Sequence, residues 1–141
     1  MSSAWDGLLN NEQITELPHY AINKTLPADN YFTSDETAKK CINIAMKEIP
    51  TEGYTFLEPS AGAGAFYNFL PKDKRLGLDI NPESSEIVKA NFLTWYPPKH
   101  QKDKKYIVIG NPPFGVRGAY ALAFVNRSLL FADYVAFILP M

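Results

Sequence analysis

The sequence predicts an α/β fold in which a mostly parallel sheet of about five strands carries helices on both faces. Two observations predict it: strand-like and helix-like segments alternate along the chain, and residues 106–109 form a continuous apolar run. Such alternation is typical of parallel sheets, and an uninterrupted apolar run is typical of a strand buried on both faces. With 141 residues, 46% of them hydrophobic, the chain has the size and composition of one globular domain.

The elements follow one another in an order that turn and cap residues define. Residues 1–30 are interpreted as an N-terminal arm, and residues 31–141 as the main domain. A capping box with Thr33 as N-cap and Glu36 predicts a helix that Pro50 ends. The remaining predictions are a strand at 54–58, a turn at 59–64, a helix at 65–70, strands at 75–80 and 87–88, a polar loop at 97–105, a strand at 106–109, a loop at 110–117, a helix at 119–132 and a strand at 134–139.

The charge and cysteine content exclude several classes of protein. The 14 Lys and Arg are balanced by 15 Asp and Glu, whereas an independent nucleic-acid-binding domain usually has a basic excess. Cys41 is the only cysteine, so neither an intrachain disulfide nor a multi-cysteine zinc site is expected, and we predict no metal site. The sequence has neither a membrane-spanning apolar run nor a signal-peptide pattern, which favours a cytoplasmic location without a membrane partner.

Small residues dominate the turn at 59–64, which we call the glycine turn. Gly62 and Gly64 would let a ligand approach the backbone at the carboxyl end of the preceding strand. The G-x-G-x-x-G spacing of dinucleotide sites is absent, because position 67 is Tyr67, and a carboxylate at Glu58 would attract a cation or an amine. Asp79 ends the next strand, where an acid can accept hydrogen bonds from a ribose. These residues indicate a small, adenosine-like, positively charged ligand, and the alternative is a purely structural turn.

The tetrapeptide Asn111-Pro112-Pro113-Phe114, which we call the asparagine loop, follows the apolar strand at 106–109 directly. Its prolines fix the backbone and lack N–H donors, which leaves the Asn111 amide oxygen and the Pro112 carbonyl as acceptors. Phe114 adds an apolar face on which a base can stack. The combination suits a planar ring with an exocyclic amino group, and the alternative is a rigid turn with a buried phenylalanine.

From residue 31 onwards the chain resembles the class I S-adenosylmethionine-dependent methyltransferases, and among them the N6-adenine amino-methyltransferases. The asparagine loop matches the catalytic signature of that family, the glycine turn resembles its cofactor-binding motif, and Asp79 matches the acid that holds the cofactor ribose. The resemblance implies a Rossmann-like fold, S-adenosylmethionine as cofactor, and catalytic roles for Asn111, Pro112, Pro113 and Phe114. It implies that the cofactor is bound by Tyr31, Phe32, Thr33, Glu58, Pro59, Ser60, Ala61, Gly62, Gly64, Asp79, Ile80, Asn91, Phe92 and Asn111.

The implied reaction is methyl transfer to the N6 amino group of adenine in DNA, as in restriction–modification enzymes, with the target base flipped out of the duplex. Arg117 and the lysines at 99–105 are candidate phosphate contacts. RNA adenine methyltransferases and protein glutamine methyltransferases share the signature, and a further alternative is a cofactor-binding module without activity. The family has seven strands where five are predicted here, so we expect the C-terminal strands and a target-recognition domain to be missing. The exposed edge of the fifth strand would then favour a homodimer.

Overall fold

A computed structural model describes residues 34–62, 64 and 66–139, and in them five strands form one sheet. The strands are β1 (Tyr54–Glu58), β2 (Arg75–Asp79), β3 (Val88–Lys89), β4 (Lys105–Gly110) and β5 (Tyr134–Phe137), with helices α1 (Asp35–Glu48) and α2 (Ala119–Ser128). The strand order is β3-β2-β1-β4-β5, and every neighbouring pair is parallel. This is a Rossmann-like order, and it confirms the predicted α/β fold with five strands.

The side chains of the central strands alternate between two apolar clusters, one on each face of the sheet. On one face, Phe56 and Ile107 pack against α1 through Ile42. On the other face, Leu57 and Val108 pack against α2 and residues 92–93. Because both faces are covered, the central strands are apolar almost throughout, as the run at 106–109 predicted.

Helix α1 begins one residue later than the capping box predicted. Its N-cap is Ser34, whose hydroxyl accepts a hydrogen bond from the Thr37 amide at 3.2 Å. Helix α1 ends at Glu48, and Ile49 is already extended before Pro50. The helix therefore ends where the proline requires it.

Two helical predictions are corrected. The predicted helix at 65–70 is a single 3₁₀ turn, Tyr67–Phe69, because Phe66 packs into the cluster beside α1 whereas Tyr67 packs with Ala61 and Ile87. So short a segment also cannot repay the cost of helix nucleation. Helix α2 ends at Ser128, four residues earlier than predicted, and Phe131 instead packs edge-on against Trp95 and Tyr106 at centroid distances of 5.6 and 5.5 Å.

Some predictions concern residues outside the described part of the chain. The N-terminal arm at 1–30, the upstream residues Tyr31 and Phe32, and Thr33 are among them. Within residues 34–62, 64 and 66–139, no helix is both long and apolar enough to cross a membrane.

Candidate active site

The candidate site lies where β1 and β4 end side by side. These strands are neighbours, yet the chain leaves β1 toward β2 on one side and leaves β4 toward β5 on the other. Such a topological switch point opens a crevice at the carboxyl ends of the strands, where open α/β sheets bind ligands. The glycine turn follows β1 and the asparagine loop follows β4, and the Ser60 hydroxyl donates a hydrogen bond to the Asn111 carbonyl at 3.2 Å. The two sequence-predicted motifs are therefore in direct contact.

Asp79 fixes the glycine turn from the neighbouring strand β2. One carboxylate oxygen accepts a hydrogen bond from the Gly62 amide, and the other accepts one from the Asn81 amide, both at 2.8 Å. Gly62 has a φ of +54°, and a Cβ at this position would lie 4.0 Å from a carboxylate oxygen of Asp79. Because an ionised carboxylate has about four lone-pair sites, the half-exposed Asp79 keeps capacity to accept hydrogen bonds from a ligand.

Glu58 lies beneath the junction of the two motifs, with only 2% of its surface exposed. Burial is the main reason that its pKa is raised to about 8; the Asp79 carboxylate raises it further, and the hydrogen bond from the Ser60 amide lowers it. The carboxyl therefore carries a proton for most of the time at neutral pH, so Glu58 is not the accessible carboxylate that was predicted to attract a cation or an amine. A side chain at Gly110 would place its Cβ 2.8 Å from the Glu58 Cδ, so the buried Glu58 side chain would have to shift to admit it.

The N-terminal end of helix α2 contacts the asparagine loop. The Phe114 carbonyl accepts hydrogen bonds from the amides of Tyr120 and Ala121, at 3.0 and 3.2 Å, and so satisfies donors of the first turn of the helix. The Phe114 ring packs against Gly118, where a Cβ would lie 3.1 Å from Cζ. Pro112 is buried, whereas Asn111, Pro113 and Phe114 are half-buried.

The segment at 91–96 follows β3, and its predicted cofactor residues occupy different environments. The Asn91 side chain accepts a hydrogen bond from the Leu93 amide at 3.0 Å, which closes a local turn. The Phe92 ring lies in the core, 5.2 Å from the Phe124 ring of α2, and is 1% exposed. Ile80, after β2, is half-buried. The structure therefore does not bring the Phe92 ring to the surface of the crevice.

Sequence reasoning missed Arg127, which is 2% exposed. Its Nε and Nη2 donate hydrogen bonds to the Trp95 carbonyl at 3.1 and 2.9 Å, and its Cζ lies 3.9 Å from the centroid of the Tyr96 ring. The signal was present, because Arg127 is the only charged residue in the apolar segment 119–132. A charged side chain at that place is almost never buried without partners.

Comparisons with known proteins give no relative: no family profile matches the sequence, and no match is found among curated proteins or solved structures. In the part of the chain that the structure describes, no group of three His, Cys, Asp or Glu side chains is placed to hold a metal ion. A functional assignment therefore rests on the strand order and on the contacts at the crevice.

Proposed function

We propose that this chain binds S-adenosylmethionine and transfers its methyl group to the N6 amino group of adenine in DNA. The observation that supports the proposal most strongly is the contact between the glycine turn and the asparagine loop, through Ser60 and Asn111, at the switch point of the sheet. A cofactor in the crevice and a base on the asparagine loop would then be adjacent. A cytoplasmic location belongs to the same proposal.

The described residues fit this cofactor. Asp79 lies at the end of β2 with acceptor capacity for ribose hydroxyls, and among the described residues other than the chain neighbours of Gly62, only the Asp79 carboxylate lies within 4.0 Å of the Gly62 Cβ position. As the family resemblance implies, residues 91–93 would flank the adenine of the cofactor. When bound, the cofactor supplies a methyl group activated by a sulfonium centre.

The asparagine loop supplies orientation rather than acid–base chemistry. The Asn111 side-chain oxygen and the Pro112 carbonyl would accept the two hydrogens of the target amino group, which aligns the nitrogen lone pair for in-line attack. The Phe114 ring would stack on the base, a contact worth about 1–3 kcal/mol. In duplex DNA the adenine must first leave the stack, at a cost of a few kcal/mol.

Calorimetry with S-adenosylmethionine tests the cofactor assignment. We expect wild-type protein to bind and Asp79→Ala to bind about 10–100-fold more weakly, because a hydrogen bond to a charged group contributes about 1.5–3 kcal/mol. Asp73→Ala, which removes an exposed acid from the same stretch of chain, should bind like the wild type. Absence of binding to the wild type would refute the proposal.

Methyl transfer from labelled cofactor to DNA and to RNA oligonucleotides then tests the substrate. We expect label in DNA. Label in RNA alone would contradict the DNA assignment and favour an RNA adenine methyltransferase. Binding of the cofactor without transfer to either polymer would favour a binding module without activity.

A further inference from the structure

Helix α2 contacts two segments that the proposed function assigns to different ligands. At its N-terminus, the amides of Tyr120 and Ala121 bond to the Phe114 carbonyl of the asparagine loop. Toward its C-terminus, Arg127 bonds to the Trp95 carbonyl of the segment at 91–96. The helix has 10 residues and so is about 15 Å long. A displacement at one end of so short a helix is therefore transmitted to the other.

Arg127 binds the segment at 91–96 firmly to α2, because its charge is buried. A guanidinium remains protonated in proteins, and burying a charge is costly unless hydrogen bonds compensate. The structure provides two such bonds to one carbonyl and a stacked ring on Tyr96, 3.9 Å away. Moving the Trp95 carbonyl away from α2 would therefore break two of the hydrogen bonds that compensate this buried charge.

A second contact supports the first. The Phe92 ring packs against Phe124 on the same helix, with ring centroids 5.2 Å apart. Phe92 is 1% exposed and Phe124 is 6% exposed, so the contact belongs to the core. The segment at 91–96 is thus attached to α2 through an apolar contact and a charged one, and the asparagine loop is attached to the same helix.

We infer that Arg127 is a positioning residue through which α2 couples the segment at 91–96 to the asparagine loop, so that a cofactor bound at the first stabilises the second. The inference rests on the proposed function, which puts the cofactor adenine at residues 91–93, the start of the segment at 91–96, and the target base at the asparagine loop. Coupling of this kind is reciprocal. A target base bound at the asparagine loop would equally favour the cofactor.

Arg75 provides a matched control elsewhere in the molecule. Its Nη1 donates to the carbonyls of Tyr67 and Leu70 at 2.9 and 3.4 Å, and its Cζ lies 4.2 Å from the Tyr67 ring centroid. Its Nη2 also pairs with Glu86 at 3.2 Å. Arg75 therefore has similar contacts with carbonyls and a tyrosine ring, but it joins neither the segment at 91–96 nor the asparagine loop to α2.

The experiment is amide hydrogen exchange of the full chain with and without S-adenosylhomocysteine, which needs no methyl acceptor. Binding is followed by the fluorescence of Trp95 in a Trp5→Phe background, since the chain has two tryptophans. In the wild type we expect the ligand to slow exchange of the Tyr120 and Ala121 amides at least 5-fold. Arg75→Met should keep this protection, whereas Arg127→Met should bind the ligand and lose it. Arg127→Lys, which keeps the charge but not the planar donor pair, should lose most of it.

The outcomes distinguish failure of the coupling from failure of the proposed function. Protection that persists in Arg127→Met with ligand bound overturns the coupling and leaves the proposed function intact. If Arg127→Met does not fold, unchanged protection in Arg127→Lys overturns the coupling in the same way. If the wild type does not bind S-adenosylhomocysteine, the proposed function fails and the coupling fails with it.

Discussion

Two crossovers leave the crevice, one from β1 to β2 over residues 59–74 and one from β4 to β5 over residues 111–133, and they are stabilised differently. In its described residues, the first crossover contains only the 3₁₀ turns Tyr67–Phe69 and Lys72–Lys74, whereas the second contains α2. Arg75 bonds to carbonyls 8 and 5 residues away in the first crossover. Arg127 in the second crossover bonds to a carbonyl 32 residues away.

The difference lies in the sequence separation of the arginine contacts that each crossover makes. In the first crossover, Arg75 bonds to carbonyls nearby in sequence and Asp79 bonds to Gly62, while Phe66, Tyr67 and the Ser60 hydroxyl contact more distant parts of the chain. The second takes its shape from a helix that is packed against a distant segment. We therefore expect changes in the first crossover to act mainly on its own ligand contacts, and changes in the second to affect both ligands.

The largest expected difference is in kcat. It separates Asn111→Ala, in the second crossover, from Ser60→Ala, in the first. Asn111→Ala should lower kcat on the order of 10²–10³-fold, the usual effect of losing one hydrogen-bonding group that orients the reacting atoms. Ser60→Ala removes one 3.2 Å hydrogen bond between the motifs and should lower kcat only a few-fold. Single-turnover kinetics at saturating cofactor measures both. Equal losses in the two variants would mean that Asn111 has only a structural role.

The next contrast concerns stability and compares Gly115→Ala with Gly64→Ala. Both glycines have positive φ, +75° and +98°, so both substitutions introduce backbone strain. An alanine at 115 also meets the buried Tyr120 ring, whereas an alanine at 64 meets the amide end of the exposed Asn68 side chain, which can move away. Gly115→Ala should therefore lower the free energy of unfolding by about 1–3 kcal/mol more than Gly64→Ala. Urea denaturation measures the difference. Similar free energies of unfolding for the two variants would show that the Tyr120 ring can move to make room for the alanine.

The smallest contrast is expected in the pH dependence of stability, and it concerns Glu58 at the junction of the two crossovers. Its folded pKa of about 8 lies above the ordinary value of 4.5, so its contribution to stability is complete below pH 4.5 and is lost as the pH rises through about 8. The glutamine of Glu58→Gln is neutral at every pH. Between pH 4.5 and about 8 this variant should therefore become progressively more stable relative to the wild type, and above pH 8 the difference should stay constant. Thermal denaturation at several pH values measures the gain. A difference in stability between the wild type and Glu58→Gln that is constant from pH 4.5 to 9 would contradict the raised pKa of the buried Glu58 carboxyl.

The strands and the position of the crevice could be predicted because their signals are local. The run Tyr54–Glu58 matched its strand to the residue, and the loops after β1 and β4 meet because parallel strands end at the same edge. The predicted helix at 65–70 was wrong because Phe66 and Tyr67 pack into different clusters, which depends on residues distant in sequence. Arg127 and the buried Phe92 ring escaped prediction for the same reason, since each is defined by a partner about thirty residues away.

The contact between Gly110 and Glu58 implies that these two positions are not independent over evolutionary time. Any side chain at position 110 would collide with the Glu58 carboxyl, whose Cδ lies 2.8 Å from the Cβ position. A residue larger than glycine at 110 would require the buried Glu58 side chain to shift, so a smaller residue at 58 would make the change easier. Among homologous sequences the two sites should therefore covary, with glycine at 110 wherever a long acid stands at 58.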